Sequence, residues 1–164
     1  MCEKLLGKIF SYLDHLRWKI RYKSYRNIYQ INDNFIFNGP DIRFYGSGEI
    51  ILGRDSHIGS YSTIQSANDC IVLIGNNCRI SHNVRVYTKS DIANQDFSQS
   101  KLLKKIGNVT IGDNVWIGVN TYIGPNVKIG INSVISANSL VTKDIPDNCI
   151  AGGVPAKIIK YKQL

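Results

Sequence analysis

The sequence predicts an all-β fold, a parallel β-helix of hexapeptide repeats, with a short N-terminal α-helix and one long projecting loop. The main observation is an aliphatic residue at every sixth position between residues 111 and 141, where glycine follows four of the six. A period of six fits neither an amphipathic helix nor a strand of a hairpin. It fits short solenoid strands that each place one side chain inward before the chain turns a corner. The repeating residues are Ile111, Ile117, Ile123, Ile129, Ile135 and Val141.

Residues 1–34 differ from the rest of the chain and are assigned to an N-terminal amphipathic helix and a linker. The helix, residues 1–28, has two interpretations. It caps the first coil of the solenoid, whose core and strand edges need cover, or it rests on anionic lipid as a basic amphipathic helix. Its apolar residues Leu5, Leu6, Ile9, Leu13, Leu16 and Ile20 share one helical face, with Lys4, Lys8, Arg17, Lys19 and Arg21 largely around it.

Residues 35–164 form the predicted β-helix domain, because the six-residue pattern extends back through Ile74-Gly75 and Ile58-Gly59 to Leu52-Gly53. Residues 88–108 carry no such pattern, so they must leave the coil at a corner and project as a loop. Residues 144–164 form a C-terminal tail. We expect Pro146 and Pro155 to end the coil pairing there, since proline has no amide hydrogen to donate.

Charge and cysteine content restrict the ligands and the compartment. The net charge of +8, from 20 Lys and Arg against 12 Asp and Glu, favours an anionic ligand. Nucleic acid is not expected, because no zinc-finger, aromatic-platform or basic-zipper pattern occurs. The four cysteines match no metal or redox spacing, and no secretory leader precedes them. We therefore expect reduced thiols in a cytoplasmic protein, with Cys78 and Cys149 as small apolar residues in or beside the core.

Three segments carry a resemblance to a known family. They are VTIGDNVWIG at 109–118, IGPNVKIGINSVISANSLVTKDIP at 123–146 and GGVPAKIIK at 152–160. These segments resemble the hexapeptide-repeat acyltransferases, in particular the sugar O-acetyltransferase branch with the galactoside, maltose and nodulation acetyltransferases. The resemblance implies a left-handed parallel β-helix, a homotrimer, and acetyl-coenzyme A bound between subunits. It also implies transfer of an acetyl group to a sugar hydroxyl, on a bacterial surface polysaccharide or its precursor.

Acyl transfer to a hydroxyl needs a general base, and histidine is the natural choice near neutral pH. The chain has three histidines, His15, His57 and His82. His15 belongs to the helix and His57 to an early coil. His82 precedes the loop and lies near the coils formed by the segments that resemble the family. We therefore predict His82 as the catalytic base. The galactoside and maltose branch carries its histidine slightly later, at positions corresponding to residues 88–91, where this chain has none.

The remaining site residues are predicted in two groups. For the acceptor and for orienting His82 we select Asp91 and Asp96 in the loop, Asn83, and the large ring of Trp116. For the donor, the resemblance implies backbone and charge contacts, with the lysines near its phosphates. The donor residues are Gly118, Val119, Ala137, Thr142, Lys143, Lys157 and Lys160.

Four other functions differ in what they require of the sequence. A γ-type carbonic anhydrase needs three converging histidines, and the spacing here does not supply them, so no metal is expected. An amino-sugar N-acetyltransferase stays open, because the sequence barely separates O-acylation from N-acylation. A serine acetyltransferase would carry a longer helical N-terminal domain. A non-catalytic β-helix scaffold would have no evident use for the VTKDIP and GGVPAK segments.

Overall fold

The computed structural model describes residues 2–163, with side chains from residue 3 onward, and shows a β-solenoid preceded by one helix. Helix α1 spans Cys2–Ile28. The first and last residues of the predicted domains, Met1 and Leu164, lie outside the described residues. The solenoid chain folds into three stacked sheets, which we call faces A, B and C.

The three faces repeat in the same order along the chain, so that one strand from each makes one coil. Face A contains β1 (Gln30–Ile31), β4 (Glu49–Leu52), β7 (Ile71–Ile74), β12 (Val109–Ile111) and β15 (Val127–Ile129). Face B contains β2 (Ile36–Asn38), β5 (His57–Gly59), β8 (Arg79–Ile80), β13 (Trp116–Ile117), β16 (Val134–Ile135), β18 (Cys149–Gly152) and β19 (Lys157–Tyr161). Face C contains β3 (Arg43–Tyr45), β6 (Thr63–Gln65), β9 (Arg85–Tyr87), β14 (Tyr122–Ile123) and β17 (Leu140–Val141).

The parallel register confirms the meaning of the six-residue pattern. On face B, Ile58 pairs with Ile80, Ile80 with Ile117, and Ile117 with Ile135, so the inward aliphatic residues form one continuous column. All four side chains are fully buried. Because each strand adds one such residue, the core is a stack of aliphatic layers, and the predicted β-helix of hexapeptide repeats is confirmed.

The coil starts earlier and ends later than the sequence indicated. Strand β1 pairs with β4 inside the predicted linker, so the first coil begins at Gln30. At the other end, Pro146 does not end the coil, because β18 still pairs in parallel with β16. At the position equivalent to Pro146 in the preceding coil, the amide donates to the following coil, as Gly130 N does to Ile145 O. Within residues 2–163 no further face A strand follows Ile145, so the missing hydrogen of Pro146 costs no bond. The reversal comes after Gly152, where β19 returns antiparallel to β18.

The predicted loop leaves the solenoid after β9, at the corner between faces C and A. It contains a small antiparallel hairpin of β10 (Lys89–Asp91) and β11 (Lys104–Ile106). Lys104 and Asp91 form an ion pair across this hairpin. The projecting loop is thus confirmed, and its base has more structure than the sequence pattern indicated.

The C-terminal half of α1 caps the first coil. The Tyr22 hydroxyl accepts from Ile42 N at 3.2 Å and donates to Gly39 O at 2.7 Å. The Tyr25 hydroxyl accepts from Phe44 N at 3.1 Å. The Tyr22 ring stacks on Phe37 with centroids 4.4 Å apart. Tyrosine suits this place, because its ring covers apolar core while its hydroxyl satisfies a strand edge.

Candidate active site

His82 lies on the corner between faces B and C, one coil before Val119 and two before Ala137. Asn120 N donates to His82 O at 3.2 Å, and Asn138 N donates to Val119 O at 2.8 Å, which fixes the stacking of these turns. The predicted base and two of the predicted donor residues therefore follow one edge of the solenoid. Successive coils are about 4.8 Å apart, so His82 is close to this donor segment.

The His82 ring also makes a structural hydrogen bond that the sequence did not reveal. Its Nδ1 accepts from Ser60 N at 2.9 Å, reaching back to the preceding coil. The close approach depends on Gly59, where a Cβ would lie only 2.7 Å from this nitrogen. A neutral imidazole has one lone pair on nitrogen. With Nδ1 accepting from Ser60, the hydrogen of the neutral ring is on the exposed Nε2.

The same type of bond recurs at the corner between faces A and B, where side-chain oxygens replace the imidazole. Asn76 Oδ1 accepts from Arg54 N at 3.0 Å, and Asp113 Oδ1 accepts from Asn76 N at 2.7 Å. Each bond ties one coil to the amide of the coil before it. His82 Nδ1 therefore occupies a position that asparagine and aspartate fill elsewhere in this solenoid.

Asn83 belongs to a corner ladder. Its backbone φ is 55°, a left-handed conformation that asparagine tolerates well. Its Nδ2 donates to Asn120 Oδ1 at 2.8 Å, and Asn120 Nδ2 donates to Asn138 Oδ1 at 3.0 Å. The amide group of Asn83 is thus already engaged in holding adjacent coils together.

The two predicted loop aspartates are bonded within the loop, and the His82 ring is held by Ser60. Asp91 pairs with Lys104 and lines a cavity of about 260 Å³ beneath the hairpin, together with Tyr45 and Tyr87. Hydrogen bonds from Gln99 and Ser98 lower the pKa of Asp96 to about 2. Asp96 therefore stabilises its own turn, and the structure does not bring either carboxylate to His82.

A second concave site lies on face B, and sequence reasoning gave it little weight. His57 pairs in register with Arg79, and Arg79 with Trp116. These side chains line a cavity of about 470 Å³ together with Asp55, Asn77 and Ser81. Trp116 is half exposed there, away from the loop base. The register of His57, Arg79 and Trp116, spaced 22 and 37 residues apart in the chain, becomes clear only when the loop length is known.

The His57 ring is favoured in its neutral form. Burial lowers the pKa of His57 below its usual value, and the charges of Arg79 and His82 lower it further. A neutral imidazole beside a cavity has a lone pair available for a proton. His57 is therefore a second histidine with a suitable position for acid–base chemistry.

The predicted donor residues fall into three groups. Gly118, Val119 and Ala137 lie on the corner between faces B and C, and Thr142 and Lys143 follow β17 at the far edge of face C. A Cβ at Gly118 would lie 2.4 Å from Ala137 N, so only glycine allows the close stacking there. Lys157 and Lys160 are exposed on β19. The group at the corner between faces B and C and the group of Thr142 and Lys143 are thus at opposite ends of β17. Lys157 and Lys160 form the third group, on the last strand of face B.

The three cysteines of the solenoid lie in the core. Cys70, Cys78 and Cys149 are buried free thiols, and burial raises the pKa of Cys78. In residues 2–163, no cluster of three or more His, Cys, Asp or Glu side chains has the arrangement of a metal site.

Comparison with known proteins finds the same repeat and similar architectures. Residues 108–143 match the model of the bacterial transferase hexapeptide with its six repeats. A hexapeptide-repeat-containing acetyltransferase from Vibrio cholerae, complexed with acetyl-coenzyme A, is 26% identical with a TM-score of 0.76, covering 87% of this chain and 76% of that one. A galactoside acetyltransferase in complex with coenzyme A is 34% identical with a TM-score of 0.70, covering 80% and 64%.

A third solved structure differs in the chemistry that its name gives. AntD, an N-acyltransferase from Bacillus cereus in complex with dTDP and 3-hydroxybutyryl-CoA, is 25% identical with a TM-score of 0.65, covering 81% of this chain and 79% of that one. The repeat pattern, the stacked parallel faces and these similarities agree. The chain carries the bacterial transferase hexapeptide repeat and is similar in sequence and fold to hexapeptide-repeat acetyltransferases.

Proposed function

We propose that the protein is an acetyl-coenzyme A-dependent O-acetyltransferase that acts on a sugar hydroxyl, with His82 as its general base. The acceptor is a hexose of a bacterial surface polysaccharide or its precursor, acetylated in the cytoplasm. The observation that carries the proposal is the common solenoid edge of His82, Val119 and Ala137 in a chain that carries the bacterial transferase hexapeptide repeat. The 34% identity to a galactoside acetyltransferase supports a saccharide as acceptor.

In the proposed reaction, the sugar hydroxyl oxygen bonds to the thioester carbonyl carbon as its proton passes to the base. The carbon–sulfur bond then breaks, and the coenzyme A thiolate takes that proton from the imidazolium. The products are an acetyl ester and a free thiol. Lys143, Lys157 and Lys160 supply the positive charge for the phosphates of the donor, and the amides near Gly118 and Thr142 bond the rest of it.

The His82–Ser60 bond sets a condition on this mechanism. Because Nδ1 accepts from Ser60 N, the neutral ring has no lone pair on Nε2. For His82 to remove a proton, its ring must release Ser60 N and turn about the Cβ–Cγ bond. Exposure of the side chain at the corner leaves room for that rotation. His57, with its lowered pKa, is the alternative base if the bond persists during turnover.

On the acceptor side, Trp116 and Asp91 each line a cavity, and we propose both as acceptor residues. A tryptophan ring can stack on the apolar face of a sugar. Asn83 and Asp96 were predicted for the same role, and their hydrogen bonds within the fold leave them less free for it.

A second candidate function is amino-sugar N-acetylation, favoured by the similarity to AntD, whose name gives an N-acyltransferase. Both reactions release coenzyme A and need a base, so the site geometry serves either acceptor. The difference lies in the acceptor atom that the cavity presents to the thioester.

The test measures free-thiol release from acetyl-coenzyme A with hexoses, nucleotide-linked amino sugars and serine as acceptors. The products are then located by mass spectrometry and NMR. Ester formation on a neutral sugar supports the proposal, and amide formation on an amino sugar assigns the second candidate. If no acceptor releases thiol and millimolar acetyl-coenzyme A leaves the melting temperature unchanged, the protein is a scaffold.

A further inference from the structure

Helix α1 has a packed half and a projecting half. From Arg21 onward, the residues on one side are partly buried against the first coil. From Glu3 to Arg17, every residue is exposed on all sides of the helix. These 15 residues extend about 22 Å at 1.5 Å per residue, and a free helix of that length is marginal in water. The projecting half therefore needs a surface on which to bury its apolar side.

That apolar side does not face the solenoid. At 100° per residue, the packed side chains Trp18, Tyr22 and Tyr25 lie roughly opposite the aliphatic stripe. The stripe is exposed along its whole length, with Leu13 at 51% and Ile20 at 61% of full exposure. Its members are Leu5, Leu6, Ile9, Phe10, Tyr12, Leu13, Leu16 and Ile20. The helix therefore caps the first coil with its aromatic side and turns its aliphatic side outward.

Positive charge flanks the stripe. Between Glu3 and Ile28 the helix has seven Lys and Arg residues and only two acidic residues, Glu3 and Asp14. Lys8, Lys19 and Lys23 border one margin of the stripe, and Arg17 and Arg21 the other. Lysine and arginine at such margins can place their charged ends beside lipid headgroups while their stems cover apolar surface.

Two occupants could bury this stripe, a lipid surface or the same helix of a second copy. Leu6, Ile9, Leu13, Leu16 and Ile20 have the 3–4 spacing of a coiled-coil seam. However, such a seam is narrow and would leave Leu5, Phe10 and Tyr12 at its margins. It would also bring together helices of the same strong positive charge. The breadth of the stripe and its basic margins both favour an anionic lipid surface.

We propose that residues 3–20 bind the surface of an anionic phospholipid membrane, with the aliphatic stripe in the headgroup region. In residues 2–163 no helix has the length and apolarity to cross a bilayer. A helix with an apolar stripe between basic margins lies in the plane of the membrane surface. Because the stripe faces away from the first coil, the solenoid then lies on the side of the helix opposite the membrane, and its long axis points away from the membrane.

The test is flotation of the full chain with phosphatidylcholine vesicles that contain or lack phosphatidylglycerol. We expect at least about tenfold more protein to float with the anionic vesicles, since each basic residue near the surface strengthens binding to anionic headgroups. Leu13→Glu should reduce flotation at least about tenfold. Leu103→Glu, which changes an even more exposed leucine in the loop, should float as the unchanged protein does.

Charge reversal supplies a second pair of variants. Lys8→Glu with Lys19→Glu should abolish the preference for anionic vesicles, whereas Lys101→Glu with Lys105→Glu in the loop should retain it. Melting temperatures of all variants check that the solenoid stays folded. The proposal is overturned if the unchanged protein stays unbound on both kinds of vesicle. It is also overturned if Leu13→Glu floats normally but lowers the number of chains per particle in light scattering, which would assign the stripe to a second copy.

Discussion

At position 82, the fold and the proposed catalysis both require the same imidazole nitrogen, Nδ1. The corner needs an acceptor for Ser60 N, and catalysis needs an acceptor for a substrate proton. Asparagine meets only the first requirement, as Asn76 Oδ1 does at the neighbouring corner. A substitution at this position can therefore separate the structural role from the chemical role.

We predict that His82→Ala and His82→Asn both lower turnover by roughly 10²–10⁴-fold, the size of a lost general base. The two variants should differ in stability. Alanine removes the bond to Ser60 N and should cost about 1 kcal/mol, whereas asparagine can retain it. Thiol-release kinetics and urea unfolding measure the two effects. Asn76→Ala is the matched control, with a similar loss of stability and normal turnover.

If His82→Asn kept full turnover, the role of residue 82 would be purely structural. His57 would then be the remaining solenoid histidine beside a cavity. A large loss of turnover in His57→Gln, with normal donor binding, would confirm that reassignment.

A pH dependence follows from the lowered pKa of His57. The unfolded chain takes up a proton at this residue near pH 6.5, while the folded chain does so only at lower pH. The unfolded state thus binds more protons in that window, and stability falls as pH drops below about 6.5. We predict that the melting temperature falls less between pH 7 and pH 5 in His57→Gln than in the unchanged protein. Equal slopes would show that the folded environment does not disfavour the charged ring.

Among the elements, α1 is joined to the solenoid by few but specific contacts. Tyr22 makes two hydrogen bonds to the edge of the first coil. We predict that Tyr22→Phe lowers the free energy of unfolding by about 1–2 kcal/mol, since each lost bond costs roughly 1 kcal/mol. Tyr12→Phe is the control, because the Tyr12 side chain is 66% exposed in the projecting half. Denaturant unfolding of both variants tests this, and equal stabilities would argue against the cap.

The outer part of the projecting loop, residues 92–103, is separable from the solenoid, because the β10–β11 hairpin joins it to the coil. Asp91 pairs with Lys104, so an Asn-Gly turn can replace residues 92–103 and close the hairpin directly. We predict that this variant keeps its melting temperature and its affinity for acetyl-coenzyme A but loses turnover with the sugar. Donor titration and thiol release measure the two functions. Normal sugar turnover would remove the loop from the acceptor site.

The sequence predicted those features that depend on local periodicity. The coil, its inward residues and the position of the loop all follow from the six-residue pattern. The hydrogen bond between Ser60 N and the His82 ring could not be predicted. The two residues are 22 positions apart, and the coil length that brings them together is irregular before the loop. The face by which α1 packs was not predicted either. Tyr22 and Tyr25 form that face instead of the aliphatic residues, because their hydroxyls satisfy the strand edge.

For the whole molecule we predict a homotrimer with active sites between subunits. Gly118, Val119 and Ala137 lie on a convex corner, which can cover only one side of a long ligand. A neighbouring subunit would supply the second wall of the groove. Light scattering of the purified protein should give a mass of three chains. A stable monomer with full turnover would contradict this prediction.

The reversed strand β19 has a consequence for the length of the molecule. A stack of like coils has no inherent end, because the last coil exposes a complete strand edge. A further coil can pair with that edge, and it can belong to another molecule. Here α1 closes the first edge, and β19 runs backward along the last one with exposed lysines at Lys157 and Lys160. Lysine on an edge strand disfavours further pairing. The two ends therefore prevent growth into fibres and, by fixing the number of coils, set how long a ligand the solenoid wall can hold.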